Sequence, residues 1–252
     1  MTQSVLITRP SGQSDGLLQT LTEAGFEVEQ VPAMVIEAID EQKALRPAIN
    51  AVLALDQYQH VIFISTNAVR YGMDLVDQYW PQWPLKIHWH AIGQATATAL
   101  SAFDIETAAP AIISNSEALL QSPLLHNIAG QKVVIFRGQG GREYLAEQLR
   151  ARGATVDYAE VYSRRIADEN SAELQRLLSS QCLSSVVALS GETLDNLCRL
   201  AQSALPLLQA LPVIVPGQRV ASIAQNLGFN DIIITTNAVA TTISAALQQC
   251  HD

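Results

Sequence analysis

Residues 5–34 read VLITRPSGQSDGLLQTLTEAGFEVEQVPAM, and residues 133–162 read VVIFRGQGGREYLAEQLRARGATVDYAEVY. The two stretches align without a gap at an offset of 128 residues. Val5/Val133, Ile7/Ile135, Arg9/Arg137, Gly12/Gly140, Leu17/Leu145, Leu21/Leu149, Gly25/Gly153 and Val28/Val156 are identical, and Asp15/Glu143 and Glu29/Asp157 keep their charge. Each copy opens on a short β-branched run, which predicts a strand. A loop follows, then leucines at i and i+4 on one helical face. Gly25 or Gly153 next supplies the residue that ends a helix in the left-handed region. A second apolar run closes the unit. Strand, helix and strand in that order define a βαβ unit, whose crossover is right-handed and whose strands are parallel.

Outward from this core the repetition is fainter but keeps its order. Val61–Val69 (VIFISTNAV) matches Val186–Leu194 (VVALSGETL): an apolar strand, a small polar turn at Ser65 or Ser190, then a helix. His90–Leu100 (HAIGQATATAL) matches Ile214–Ala224 (IVPGQRVASIA): a strand, Gly-Gln, then an Ala-rich helix. Ser114–Leu120 and Thr235–Val239 each open a last helix with Ser, Thr or Asn in capping position. Each half therefore reads β-α-β, α, β-α, β-α, β-α. The period is too long for a solenoid and implies one internal duplication. Segments 32–40 and 160–168 carry no helical period and read as paired linkers. The expected fold class is α/β, with two similar domains, each a parallel sheet flanked by helices.

Composition agrees. Among 252 residues 48% are hydrophobic, 15% charged and 6% aromatic, enough apolar matter for packed cores and too few aromatics for a β-sandwich. The net charge of −9 sets the surface against phosphate backbones and anionic lipid, so neither nucleic acid nor membrane is an expected partner. Cys182, Cys198 and Cys250 lie far apart without a CxxC pair, which argues against a disulfide framework or thiolate zinc site and for a reducing cytoplasm. No signal peptide or apolar run of membrane-spanning length is expected. No large self-complementary apolar patch is evident, so a monomer is expected.

Familiar cofactor motifs are missing. The Gly138-Gln139-Gly140-Gly141 loop offers GxGG rather than GxGxxG, and there is no GxxxxGK[ST] and no GxSxG. His88 and His90 would share one strand face, but no nearby acid or thiol completes a metal set. His60 and His126 read as helix–strand junction residues. Trp80, Trp83 and Trp89 cluster around Pro81 and Pro84 as a packed turn. The informative pattern is a recurrence of small polar residues and arginines at the carboxyl ends of strands, where helices begin. These are Arg9 and Arg137, then Ser65-Thr66-Asn67 and Ser190-Gly191-Glu192, then Gly93-Gln94 and Gly217-Gln218-Arg219. Open α/β sheets bind ligands at that edge, and helix N-termini present N–H groups to anions. The plain alternative is ordinary helix capping.

The same residues carry a family resemblance. Leu6-Ile7-Thr8-Arg9-Pro10, Phe63-Ile64-Ser65-Thr66-Asn67-Ala68-Val69 and Ala91-Ile92-Gly93-x-x-Thr96-Ala97-x-Ala99-Leu100 resemble the first-half motifs of the uroporphyrinogen-III synthase family. Val161-Tyr162, Leu189-Ser190-Gly191 and the Gly217 turn follow in that family's order, so the resemblance covers the whole chain. One departure is Arg219-Val220-Ala221, where family members often carry Thr-Thr-Ala. The resemblance implies a segment-swapped arrangement, with residues 1–36 joining 166–252 in one domain, 37–165 forming the other, and two linkers between them.

It further implies a cofactor-free, metal-free lyase that closes the linear tetrapyrrole hydroxymethylbilane into uroporphyrinogen III with loss of water and inversion of ring D. The upstream donor would be hydroxymethylbilane synthase. Tyr162 is the implied catalytic residue, donating to the departing hydroxyl; its alternative is packing at the domain junction. Arg9, Ser65, Thr66, Asn67, Gly93, Gln94, Thr96, Arg137, Gly138, Ser190, Gly191, Gln218 and Arg219 are the implied substrate-binding residues, lining an interdomain cleft. The rivals are a two-domain hinge-type binder of an anionic small molecule without catalysis, and a flavodoxin-like or nucleotide-binding enzyme.

Overall fold

A computed structural model describes residues 3–10, 12–108 and 115–250. In chain order the elements are β1 (Ser4–Ile7), α1 (Asp15–Glu23), β2 (Glu27–Gln30), β3 (Met34–Ala38), α2 (Gln42–Leu53), β4 (His60–Phe63), α3 (Thr66–Val76), β5 (His88–Ala91), α4 (Gln94–Ser101), α5 (Ser116–Leu119) and β6 (Lys132–Gly138). There follow α6 (Tyr144–Ala151), β7 (Thr155–Ile166), α7 (Ser171–Ser180), β8 (Leu183–Val187), α8 (Gly191–Ala201), α9 (Leu205–Gln209), β9 (Val213–Pro216), α10 (Gly217–Asn226), β10 (Ile232–Thr235) and α11 (Ala240–Gln249). The chain divides into two compact units, residues 1–36 with 165–252 and residues 37–164.

The sheet of the discontinuous unit has the order β10-β9-β8-β1-β2, with parallel pairings throughout. Its central strands β1, β8 and β9 are buried on both faces, as the interior of a parallel sheet requires, while the edge strands β2 and β10 are more exposed. Side chains alternate along each strand and so supply two cores. Leu6, Val186, Val213 and Val215 meet Leu174 and Leu178 of α7, Leu194 and Leu197 of α8, and Val220 of α10. Val5, Ile7, Val187 and Ile214 meet Leu17 and Leu21 of α1 and Ile243 and Leu247 of α11.

The other unit holds the sheet β3-β7-β6-β4-β5, in which β7, β6, β4 and β5 are parallel neighbours. Ile62, Val133 and Ile135 pack on Leu145 and Leu149 of α6 and on Leu119 of α5. Phe63 and Phe136 stack with ring centroids 4.6 Å apart. Helix α3 presses on them through Gly72, where a Cβ would stand 2.7 Å from the Phe136 ring. The two βαβ units share one register: Val5 pairs with Val28, and Val133 with Val156.

Several local expectations need correcting. Thr235 ends β10 rather than capping a helix. Helix α11 begins after Val239 without a side-chain cap, and Asn237 Oδ1 accepts the Val239 N–H at 3.0 Å. Helix α5 is capped by Asn115, whose Oδ1 accepts the Ala118 N–H at 2.8 Å; Ser114 and the strand expected before it fall outside the described residues. The two segments read as linkers contain strand β3 and the end of β7. His60 opens β4 just after a short helical turn, as a junction residue would, but it is buried and paired in register with His88. Its Nδ1 lies 3.0 Å from His90 Nε2 and its Nε2 lies 2.8 Å from Gln131 Oε1. The tryptophans do not form one cluster either. Trp80 donates to Val52 O and Trp83 to Phe103 O, whereas Trp89 is buried on β5 against Phe63. Among the described residues no helix is long and apolar enough to cross a membrane, and no group of three or more His, Cys, Asp or Glu is arranged to hold a metal ion.

Candidate active site

In the continuous unit a cavity of about 390 Å³ opens at the carboxyl ends of β4, β5 and β6. Ile64 and Ile92, the first residues beyond β4 and β5, line it with Ile135, Arg137 and Gly138 of β6. Gly140, Gly141 and Arg142 of the following loop and Tyr158, Tyr162 and Arg164 of β7 complete most of the wall. This is the edge at which parallel α/β sheets present ligand sites, because loops and helix N-termini converge there.

Arg137 is the buried charge of this wall, 3% exposed. Its guanidinium is committed inside the protein. Nη1 donates to Glu143 Oε1 at 2.9 Å, Nε donates to Gly138 O at 3.3 Å, and Nη2 donates to Gly140 O. The Tyr158 ring lies under it, 4.6 Å from the guanidinium carbon to the centroid. Tyr158 in turn donates to Glu143 Oε2 at 2.5 Å. That hydrogen bond, followed by Arg137, holds the Glu143 carboxyl below the usual carboxylate range, while burial and then Glu143 push the Tyr158 phenol up. Gly140 and Gly141 both have positive φ, which lets the loop fold back over the guanidinium; a Cβ on Gly141 would sit 2.9 Å from Nη2. Arg137 thus braces the 138–141 loop.

Tyr162 is 6% exposed and is fixed from three directions. Its hydroxyl lies 3.2 Å from Ser65 Oγ, its ring stacks against Tyr71 at 5.9 Å, and Gly138 abuts it so closely that a Cβ there would stand 2.5 Å from Cε2. Ser65 is the N-cap of α3, in extended conformation, and its Oγ accepts the Ala68 N–H at 3.1 Å. Thr66 and Asn67 form the first turn of α3. Gly93, at φ +92, precedes α4 and gives it no side-chain cap; Gln94 there is exposed, whereas Thr96 is buried.

In the discontinuous unit the sheet order β9-β8-β1 brings the remaining residues to one edge. Arg9 follows β1, half-buried, with burial lowering its guanidinium pKa. Ser190 caps α8, its Oγ accepting the Thr193 N–H at 3.1 Å and lying 2.8 Å from Thr193 Oγ1. Gly191 is buried, and a Cβ on it would meet Ile223 Cδ1 at 2.5 Å, so a larger residue there would need the end of the Ile223 side chain to move aside. Gln218 and Arg219 are exposed in the first turn of α10, which also lacks a side-chain cap.

Sequence reasoning missed Glu143, Tyr158, Tyr71, Asn115 and Arg142 as parts of this site. For Glu143 a signal existed, since the repeat keeps an acid at that place, Asp15 against Glu143.

Two parallel-sheet α/β units, each with capping hydroxyls and bare helix ends at its carboxyl edge, and one with a buried tyrosine hydroxyl beside a cavity, define a class of small-molecule enzyme. The family model described as "Uroporphyrinogen-III synthase HemD" matches residues 4–243, and the chain belongs to that family. It is 34% identical over 250 residues to the uroporphyrinogen-III synthase of Salmonella typhimurium, covering 97% of this chain and all of that one. It is 33% identical to that of Escherichia coli, with the same coverage. Solved structures agree in fold. A mutant uroporphyrinogen III synthase of Thermus thermophilus aligns with a TM-score of 0.64 at 16% identity, over 98% of this chain and 100% of that one. The Helicobacter pylori uroporphyrinogen-III synthetase aligns with a TM-score of 0.57 at 14% identity, over 99% and 100%.

Proposed function

We propose that this chain closes hydroxymethylbilane into uroporphyrinogen III. The observation that carries the reading is a family match spanning nearly the whole chain, with uroporphyrinogen-III synthases of two bacteria matched over their full length. The terminal hydroxyl leaves ring A as water, and an azafulvene cation remains. Ring D attacks that cation through its substituted carbon, giving a spiro-pyrrolenine that fragments and recloses as the type III isomer. Unassisted closure gives type I, so the protein's task is to hold one folded form of the substrate and favour one of two transition states of similar energy.

The proposed carboxylate-binding groups are, in the continuous unit, the uncapped first turn of α4 and, in the discontinuous unit, that of α10 with the Arg9 guanidinium. Tyr162 is the proposed proton donor to the departing hydroxyl; the position of its hydroxyl, 3.2 Å from Ser65 Oγ, supports the assignment. We further propose that the chain works without cofactor, as a monomer in the cytoplasm, and that its substrate comes from hydroxymethylbilane synthase. The matched registers of the two βαβ units support descent by internal duplication, with the first unit's strands exchanged into a discontinuous domain.

The test is an isomer assay. Hydroxymethylbilane is generated in situ, the protein is added, and uroporphyrins I and III are separated after oxidation. Type III product with the native chain, and a loss of about 100-fold or more in Tyr162→Phe at unchanged thermal stability, are the expected results. Type I product alone with folded protein overturns the assignment.

A further inference from the structure

Resting on the reading of Tyr162 as proton donor, we infer that Ser65 is a positioning residue for Tyr162, aiming its phenolic proton through the hydrogen bond between Ser65 Oγ and Tyr162 Oη. A serine hydroxyl has one proton and two lone pairs. One lone pair receives the Ala68 N–H at 3.1 Å, at the start of α3. Two arrangements remain for the 3.2 Å contact with Tyr162. If Tyr162 donates to Ser65, its proton is spent inside the protein. If Ser65 donates to Tyr162, the phenolic proton is left pointing elsewhere, toward an acceptor outside this pair.

The second arrangement also fits the charge that develops. As the proton departs, the Tyr162 oxygen becomes negative and the Ser65 hydrogen bond strengthens with it. Behind Ser65, the Ala68 N–H polarises the serine hydroxyl from the positive end of α3. The ring itself has little freedom, held by Gly138 on one side and by Tyr71. What stays adjustable is the hydroxyl proton, and Ser65 Oγ lies within hydrogen-bond reach of its oxygen.

The step balances as a proton cycle. The carbon–oxygen bond of the terminal hydroxymethyl group breaks with its electron pair on oxygen. That oxygen takes the Tyr162 proton and leaves as water. The proton that ring D loses from carbon when the macrocycle closes returns to the Tyr162 oxygen. Nothing is oxidised or reduced.

The test separates capping from positioning. Ser65→Gly keeps a competent N-cap but removes the hydroxyl, and Ser65→Thr keeps both. Ser65→Gly is expected to lower kcat about ten- to a hundredfold at unchanged KM, the range of a hydrogen bond to a charged group. Ser65→Thr is expected to restore most of it. In a Tyr162→Phe background Ser65→Gly should have no further effect, because the two act as one unit. A raised KM at native kcat, or an independent loss in the Tyr162→Phe background, overturns the inference by assigning Ser65 to the substrate. Native turnover in Ser65→Gly beside an inactive Tyr162→Phe overturns this inference alone, whereas native turnover in Tyr162→Phe overturns the reading beneath it.

Discussion

His90 makes the continuous unit sensitive to acid in a way that can be calculated. The side chain is fully buried, 3.0 Å from His60, and its Nδ1 has no hydrogen-bond partner among the described residues. Burial, followed by the nearness of His60 and His88, pushes its pKa from 6.5 down to about 3. The folded form therefore stays neutral at a pH where the unfolded chain takes up a proton. Stability from this group is fully present above about pH 6.5 and is lost as pH falls from there toward about 3. Between pH 7 and pH 5 the unfolded state gains a factor of roughly 25 from protonating this one imidazole, about 2 kcal/mol. That figure is insensitive to the exact folded pKa, provided it lies well below 5. His60, whose pKa burial also lowers, adds to the loss with the same sign.

The assay can be confined to one unit. Trp80, Trp83 and Trp89, the chain's 3 tryptophans, all lie in residues 37–164, so tryptophan fluorescence in urea follows that unit alone. The native chain and His90→Leu are compared at pH 7 and pH 5. Whatever the substitution costs at pH 7, the loss between the two pH values should be about 2 kcal/mol smaller in the variant. An equal loss in both proteins would refute the reasoning, since it would place the titration elsewhere.

Arg137→Lys keeps the charge but cannot make the three-way grip on Glu143, Gly138 O and Gly140 O; a loss of roughly 1–3 kcal/mol in the same fluorescence titration is expected. Arg9→Lys, by contrast, should leave stability nearly unchanged and raise KM, as read in steady-state kinetics. Gly138→Ala places a methyl group within 2.5 Å of the Tyr162 ring, so it should drive the hydroxyl from Ser65 and lower kcat about as much as Tyr162→Phe, at a stability cost of about 1–3 kcal/mol in thermal unfolding.

The sequence disclosed what is local and periodic. The two βαβ units were legible because β-branched runs, leucines on one helical face and a stop glycine recur at a fixed offset, and the structure keeps their register identical. Ser65 and Ser190 were legible as helix starts for the same reason. What stayed hidden depends on contacts between segments. Nothing near His60 announces that Gln131 and His90 will satisfy its ring inside a sheet. Arg137 resembles an exposed carboxylate grip until Gly140 and Gly141 turn the chain so that Glu143 returns to it. Tyr158 joins that contact from the neighbouring strand, and Tyr71 reaches Tyr162 from another helix. Thr235 has the composition of a cap, but its side chain is buried and its hydroxyl bonds to Asn237 O, so the strand claims it.

The placement of β1 bears on how the chain comes off the ribosome. This strand sits between β2 and β8, and Thr8 beside it donates to Val187 O, 179 residues later. At about 5–20 residues per second, roughly 10 to 40 s pass before that partner exists. All the residues of the continuous unit have been made by Arg164, so it can close first. Val5, Leu6 and Ile7 meanwhile wait with one side of their strand unpaired. The nascent N-terminal βαβ is therefore the segment where holding by chaperones, or edge-to-edge aggregation, has the longest opportunity to act.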